Sequence, residues 1–304
     1  MSDPPSHRVI VPELDKVLGR KWSVLGDGYV RVVDYMGSDE AIAQAARVSY
    51  GQGTRAVHQD AGLIRYLMRH RHTTPFEMCE IKLHVRVPMD TWRQWIRHRT
   101  ANVNEYSTRY SVAIDSAATT GPEDWRTQSQ SNKQGSESVL PVGTGSELSR
   151  RESDLHRLAR EVYEERLRAG VAREQARKDL PLSTYTEAFW KIDLHNLFNF
   201  LELRMAPAAQ VEIRRYAEII GNEVVSRWCP IAWSAFVDYR LNALALSKPE
   251  VEIIRHLQAG DQDAARATAL SLGWLEATSE GLVANRERRE LEEKLARLGM
   301  TRPW

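Results

Sequence analysis

Cysteine is scarce in this chain, with two residues, Cys79 and Cys229, among 304. Two thiols so far apart supply neither a disulfide framework nor a zinc cluster, and they suit a reducing cytoplasm. An excess of charge of one sign is lacking too, since 42 lysines and arginines stand against 41 acids. That balance argues against wholesale binding to nucleic acid or to a membrane surface, which usually shows as a basic excess. No apolar run approaches membrane-spanning length, and Met1 to Pro5 lacks the charged and apolar regions of a signal peptide. A soluble, cytoplasmic protein is expected. No Gly-x-Gly-x-x-Gly follows a predicted strand, so a Rossmann-type dinucleotide site is not expected. What remains is ample apolar material, 42% of residues, for one large domain or two.

One run cannot be explained as scaffolding. Arg97 to Tyr110 packs three arginines, a histidine, two asparagines, a glutamate, a serine and two tyrosines into fourteen positions. Its neighbours predict where it sits. Ile81, Leu83, Val85 and Val87 alternate with Lys82, His84 and Arg86, the period of a strand with one buried face. Pro88 stops that strand, Asp90 offers a helix N-cap, and Trp92, Trp95 and Ile96 give a helical apolar edge. Gln94 and Arg97, three apart, share a face. A strand and a short helix thus deliver fork-shaped cations to one place, where guanidinium groups suit phosphates and planar rings.

The run resembles the signature of the flavin-dependent thymidylate synthases: Arg97, His98, Arg99, Asn104, Glu105, Ser107, Arg109 and Tyr110 match, and Asn102 stands where that family usually has a serine. Three further blocks are similar. His72, Thr74 and Glu77 match His-x-Thr-Pro-Phe-Glu, with Met78 where many relatives have histidine. Arg177 lies in the Ala-Arg-x-x-Leu-Pro block. Leu197 to Met205 matches a helical block, and just before it Asp193 and His195 stand where Asn and Arg are more usual.

The resemblance implies synthesis of dTMP from dUMP, with methylenetetrahydrofolate as carbon donor and NADPH as reductant through FAD. It implies contacts to dUMP from Gln94, Trp95, Ile96, Arg97, Glu105, Tyr106, Ser107, Thr108, Arg109, Arg177 and Arg204. It implies contacts to FAD from His72, Thr74, Glu77, Arg97, His98, Arg99, Glu105, Asp193, Leu194, His195 and Asn199. The fold it implies is α+β, a mixed sheet packed with helices and assembled as a homotetramer, with each site built from several chains. Arg204 is the catalytic candidate, because a cation against the pyrimidine favours loss of the N3 proton. Neither cysteine has a catalytic setting in the sequence, and Ser107 has no evident base, so a nucleophile is not expected. No metal is expected either, since His70 and His72 lack a completing His or Cys pair. A nucleic-acid-binding protein that uses Arg69 to His72 and Arg97 to Arg99 on phosphates is the alternative from another class. A family member that binds flavin or nucleotide without turnover is another.

The rest of the chain reads as elements. Val30 to Val33 and Ser183 to Ile192 are expected strands. Ala41 to Val48, Val57 to Met68 and Ala208 to Trp228 are expected helices. Residues 115 to 147 lack a sustained period and read as a mobile insertion. Leu148 to Leu167 is an expected helix packing through Leu155, Leu158, Val162 and Tyr163, and Gly170 ends it. Asp193 should cap a helix whose Leu194, Leu197, Phe198, Leu201 and Met205 face the core, with His195, Asn199 and Glu202 on one flank. Domains are expected as 1 to 240, catalytic, and 241 to 304, a helical extension with a capping box at Ser247 and Glu250 and helix ends near Gly260, Gly273 and Gly299.

Overall fold

A computed structural model describes residues 8–48, 60–129, 135–278 and 281–304. The beginning of the helix expected from Val57 lies outside the described residues. Two compact units result, residues 1–241 and residues 242–304.

The first unit is built on five strands: β1 (Lys21–Val24), β2 (Gly28–Met36), β3 (Glu80–Pro88), β4 (Asn102–Glu105) and β7 (Tyr185–Asp193), in the order β1-β2-β3-β7-β4. Every pairing is antiparallel, so the sheet is not mixed in direction, although the α+β layering is as expected. The reason is topological: no strand returns beside its neighbour by the helical crossover that parallel pairing requires. Alternation places Ile81, Leu83, Val85 and Val87 of β3 on the core side with Ala188, Trp190 and Ile192 of β7. Lys82, His84 and Arg86 occupy the other face, half-buried.

Helices α1 (Asp39–Val48), α2 (Asp60–Arg69), α3 (Met89–Trp95), α5 (Leu194–Arg204), α6 (Val211–Ile219) and α7 (Pro230–Phe236) share one hydrophobic core with the sheet. The helix expected over Ala208 to Trp228 widens to π geometry at Ile220–Val225 and regains α geometry at Ser226–Trp228. The cap of α3 differs from expectation. Pro88 is the N-cap and Asp90 lies inside the first turn, its Oδ1 accepting from Thr91 N at 2.6 Å. Proline at the strand end already sets the turn, so the acid is displaced into the helix, where a negative charge suits the dipole.

The described part of the insertion carries regular elements. It contains a hairpin, β5 (Arg126–Gln128) with β6 (Ser136–Val139), and helix α4 begins at Val142 and runs to Arg168. Side-chain hydrogen bonds fasten it where apolar burial does not: Glu152 accepts from Thr120 N at 2.6 Å, and Ser149 from Trp125 Nε1 at 2.9 Å. An ion pair of Arg126 with Glu212 at 2.7 Å ties the hairpin to α6. Tyr163 is buried as expected, but Leu155 and Leu158 are more than half exposed, because the middle of α4 packs on one side only.

The second unit has its own core of Ile253, Ile254, Ala265, Ala269, Trp274, Leu275, Leu291 and Leu295. The capping box at Ser247 and Glu250 opens α8 (Lys248–Gln258), and Lys294 of α10 (Arg286–Arg297) pairs with Glu250 at 2.7 Å. Between them lies α9 (Gln262–Ser271). Gly260, Gly273 and Gly299 all take positive φ just after a helix, the conformation that releases a helix end at least cost in glycine.

Candidate active site

The signature run hangs from α3, and an aromatic cluster holds α3 in place. The Trp95 ring lies 5.1 Å from that of Trp190, 4.9 Å from Phe200 and 5.7 Å from Tyr216, all fully buried. Trp95 was expected at the nucleotide. Its indole is instead wholly in the core, which leaves only its main chain to face a ligand. Leu194 is likewise fully buried, its N–H donating to Cys79 O at 2.8 Å, so the same holds for its expected flavin contact. Size and hydrophobicity account for both, since each side chain stabilises the fold more in the core than at a wet site.

At the C-terminal end of α3, Arg204 reaches back from α5. Its Nε donates to His98 Nε2 at 3.1 Å and an Nη donates to the Gln94 carbonyl at 3.2 Å. Phe200, one turn earlier on α5, meets the His98 ring edge-on at 4.9 Å. Burial, followed by the Arg204 charge, pushes the His98 pKa down to about 4. The imidazole is therefore neutral at working pH, with Nε2 accepting and the proton on Nδ1. Burial also lowers the pKa of Arg204, although a guanidinium stays charged in any case.

Because the folded His98 binds its proton less tightly than in the unfolded chain, acid favours unfolding through it. Its contribution is complete above the unfolded value near 6.5 and is lost as pH falls from there towards about 4. In an NMR titration, the His98 ring should stay neutral at pH 5.5. Arg204→Gln should raise its midpoint by removing the second cause.

The remaining nucleotide candidates form two further groups. Thr186 Oγ1 donates to Glu105 Oε1 at 2.8 Å, fixing the end of β4. Arg177 donates to Thr108 Oγ1 at 2.5 Å, Arg173 to the Tyr110 carbonyl at 2.5 Å, and Arg109 pairs with Glu174 at 3.4 Å. Ser107 shapes the turn, its Oγ accepting from Arg109 N at 3.3 Å, and Tyr106 donates its hydroxyl to Val112 O at 2.7 Å. Ile96, Arg97 and Arg99 are exposed. Among the described residues, no hydrogen bond or ion pair joins the Arg204 group to the Arg177 group.

The flavin candidates divide in the same way. Helix α2 ends with Arg71 in the left-handed region, φ 56°, and His72 N–H donating to Leu67 O at 3.0 Å. This turns the chain into Thr74–Glu77 and brings His72 to a cavity of about 110 Å³ lined also by Thr73, Phe198, His195, Asn199 and Arg240. Thr74 and Glu77 lie just past that lining. Asp193 caps α5, its carboxylate accepting from Asn196 N at 2.9 Å and Asn196 Nδ2 at 2.7 Å, so both oxygens are used within the helix start. Helix α5 thus serves two places, with Asn199 at the cavity and Phe200 and Arg204 at His98. The donors around the cavity fit part of a flavin dinucleotide, rich in carbonyl, ring-nitrogen and phosphate acceptors.

Sequence reasoning missed Thr186, Gln210 and Arg240. Thr186 carried a weak signal, the period-two alternation of its strand. Gln210, which accepts from Gln94, and Arg240 carried none. Gln210 also borders a cleft of about 590 Å³ between the β5–β6 hairpin and the Pro207–Arg214 segment. Both cysteines are fully buried, and burial, with a hydrogen bond to Cys79, pushes the Cys229 thiol up. No cluster of three potential metal ligands occurs among the described residues.

An antiparallel sheet that presents arginines, a neutral imidazole and amide donors around open grooves defines a protein for planar, phosphate-bearing ligands. A family model described as thymidylate synthase complementing protein matches residues 31–231. A flavin-dependent thymidylate synthase of Wolbachia pipientis wMel is 52% identical over 256 residues, covering 84% of this chain and 90% of the relative. One from Ruegeria pomeroyi is 48% identical over 274 residues, 88% of this chain and 89% of the relative. Among solved structures, a UMP/dUMP methylase, PolB of Streptomyces cacaoi bound with 5-Br dUMP, superposes with a TM-score of 0.64 at 30% identity, over 71% of this chain and 97% of that one. The chain belongs to the family of flavin-dependent thymidylate synthases.

Proposed function

We propose that this protein makes dTMP from dUMP, with methylenetetrahydrofolate as carbon donor and NADPH as reductant through FAD, and without a cysteine nucleophile. The observation that carries the reading is Arg204, half-buried and held by His98 of the signature run and by the Gln94 carbonyl just before it. An arginine fixed beside a pyrimidine stabilises the negative charge left when N3 loses its proton. That charge is shared with C5, which becomes electron-rich without covalent attack. Preorganisation matters here, because two fixed acceptors set the direction of the guanidinium before substrate arrives.

Gln94, Glu105, Ser107 and Thr108, with the main chain of Trp95, Ile96 and Tyr106, would orient dUMP, and Arg97, Arg109 and Arg177 would meet its phosphate. His72, Thr74, Glu77, Arg97, His98, Arg99, Glu105, Asp193, the main chain of Leu194, His195 and Asn199 would hold FAD. When bound, FAD supplies the hydride chemistry that no side chain provides. Arg97 and Glu105 stand in both groups, which suits a nucleotide lying against the flavin.

The same reading makes the protein a homotetramer whose sites are completed by neighbouring copies. Strand β4 is an edge strand exposed along its whole length, with Val103 46% and the nearby Tyr110 75% exposed. An open edge carrying apolar side chains beside a binding signature suits a covering chain. Residues 1–240 are the catalytic domain and 241–304 an appended helical domain. The enzyme works in the cytoplasm, where both thiols stay reduced.

The visible spectrum of the purified protein tests the reading. A flavin band that bleaches anaerobically with NADPH, faster with dUMP present, is the expected result. A colourless protein that takes up no added FAD would sink it.

A further inference from the structure

We infer that Arg240 is a positioning residue of the flavin pocket: together with Glu202 it fixes the Asn199 amide, so that Asn199 and His195 present a wall of N–H donors to the ligand. The inference rests on the flavin reading above and extends it to a residue outside the motifs.

Arg240 lies in the π-widened segment Val237–Leu241, and its side chain is 10% exposed. One Nη donates to Asn199 Oδ1 at 3.0 Å and to the Glu202 carboxylate. A primary amide has an oxygen end and an N–H₂ end, and its orientation follows from its partners. Arginine offers donors only, so the end of Asn199 that faces Arg240 is the oxygen. The N–H₂ end is therefore turned to His195, with Nδ2 and Nε2 3.3 Å apart. His195 Nε2 accepts from it, which leaves Nδ1 as that ring's donor. A fixed sequence results, from the Glu202 carboxylate through Arg240 and Asn199 to His195. The carboxylate offsets the arginine charge, so Arg240 acts by orientation more than as an anion clamp. Arg240 lines the cavity, but its Nε–H is buried away from it, so its influence on a ligand runs through Asn199. A pocket built this way selects acceptors, and a flavin dinucleotide supplies them as carbonyl, ring-nitrogen and phosphate groups.

The full-length protein, stripped of flavin, is titrated with FAD by fluorescence, and its urea midpoint is measured in parallel. Arg240→Met should weaken FAD binding about tenfold or more, by freeing the amide to turn. Asn199→Asp keeps the shape and keeps a partner for Arg240 but has no N–H, and it should weaken FAD similarly. The double variant should be no worse than either single one, because both remove the same donor. Arg240→Lys should restore part of the affinity. The inference is overturned if Arg240→Met binds FAD like the parent or if the two losses add. It is equally overturned if Arg240→Met merely lowers the urea midpoint while Asn199→Asp binds normally. Failure of the parent itself to bind FAD would instead overturn the flavin reading.

Discussion

Arg204→Gln is expected to slow dTMP formation about 10²–10³-fold, the range found when one preorganised transition-state donor is removed. Glutamine keeps an N–H that can reach His98 Nε2 or the Gln94 carbonyl, the two groups now contacted at 3.1 and 3.2 Å. What it loses is the positive charge beside the pyrimidine. The defect should therefore fall on kcat, with flavin uptake unchanged and with dUMP still bound through Arg97, Arg109 and Arg177. Arg204→Lys keeps a charge but not the fork, and its rate should lie between the two. Single-turnover formation of dTMP in parent and variants measures this directly. A normal rate in Arg204→Gln would remove electrostatic activation by this residue from the mechanism.

The second large effect concerns stability. Trp95→Ala should cost about 3–5 kcal/mol, the usual range for removing a fully buried large aromatic side chain. Trp95 is 0% exposed and its ring meets Trp92, Trp190, Phe200 and Tyr216, so the void opens among four other rings. The same residue carries the C-terminal end of α3. Loss of its packing should loosen Gln94 and His98 as well, so that activity falls at temperatures where the variant is still folded. Urea unfolding gives the first quantity, and the His98 titration in the variant gives the second. Trp95→Phe should recover most of both, because a ring still fills much of the space.

The amino-acid sequence by itself determined whatever depends on local spacing. The alternation from Ile81 to Val87 sufficed for β3, Asp193 and Ser247 for helix starts, and Gly170, Gly260, Gly273 and Gly299 for helix ends. In each case the cause lies within a few residues: pleat period, a side-chain cap, or a positive φ. The flank of His195, Asn199 and Glu202 was legible for the same reason, and its three residues do meet one partner or one another. The signature run, too dense in polar groups for a core, was readable from composition alone.

Only the tertiary structure decided where long-range competition was involved. The helices took up one face of a sheet whose strands pair antiparallel over long separations. Side-chain hydrogen bonds to α4 and an ion pair to α6 gave form to an insertion that apolar burial could not organise. Trp95 and Leu194 border the signature blocks, yet their side chains belong to the core, because their apolar area stabilises the fold most there. Arg240 meets Glu202 from 38 residues away, across a π-widened turn whose reach no local pattern encodes. Helix starts and strand faces follow from neighbours in the chain, whereas the orientation of a single amide in a binding pocket follows from whichever distant side chain the fold delivers to it.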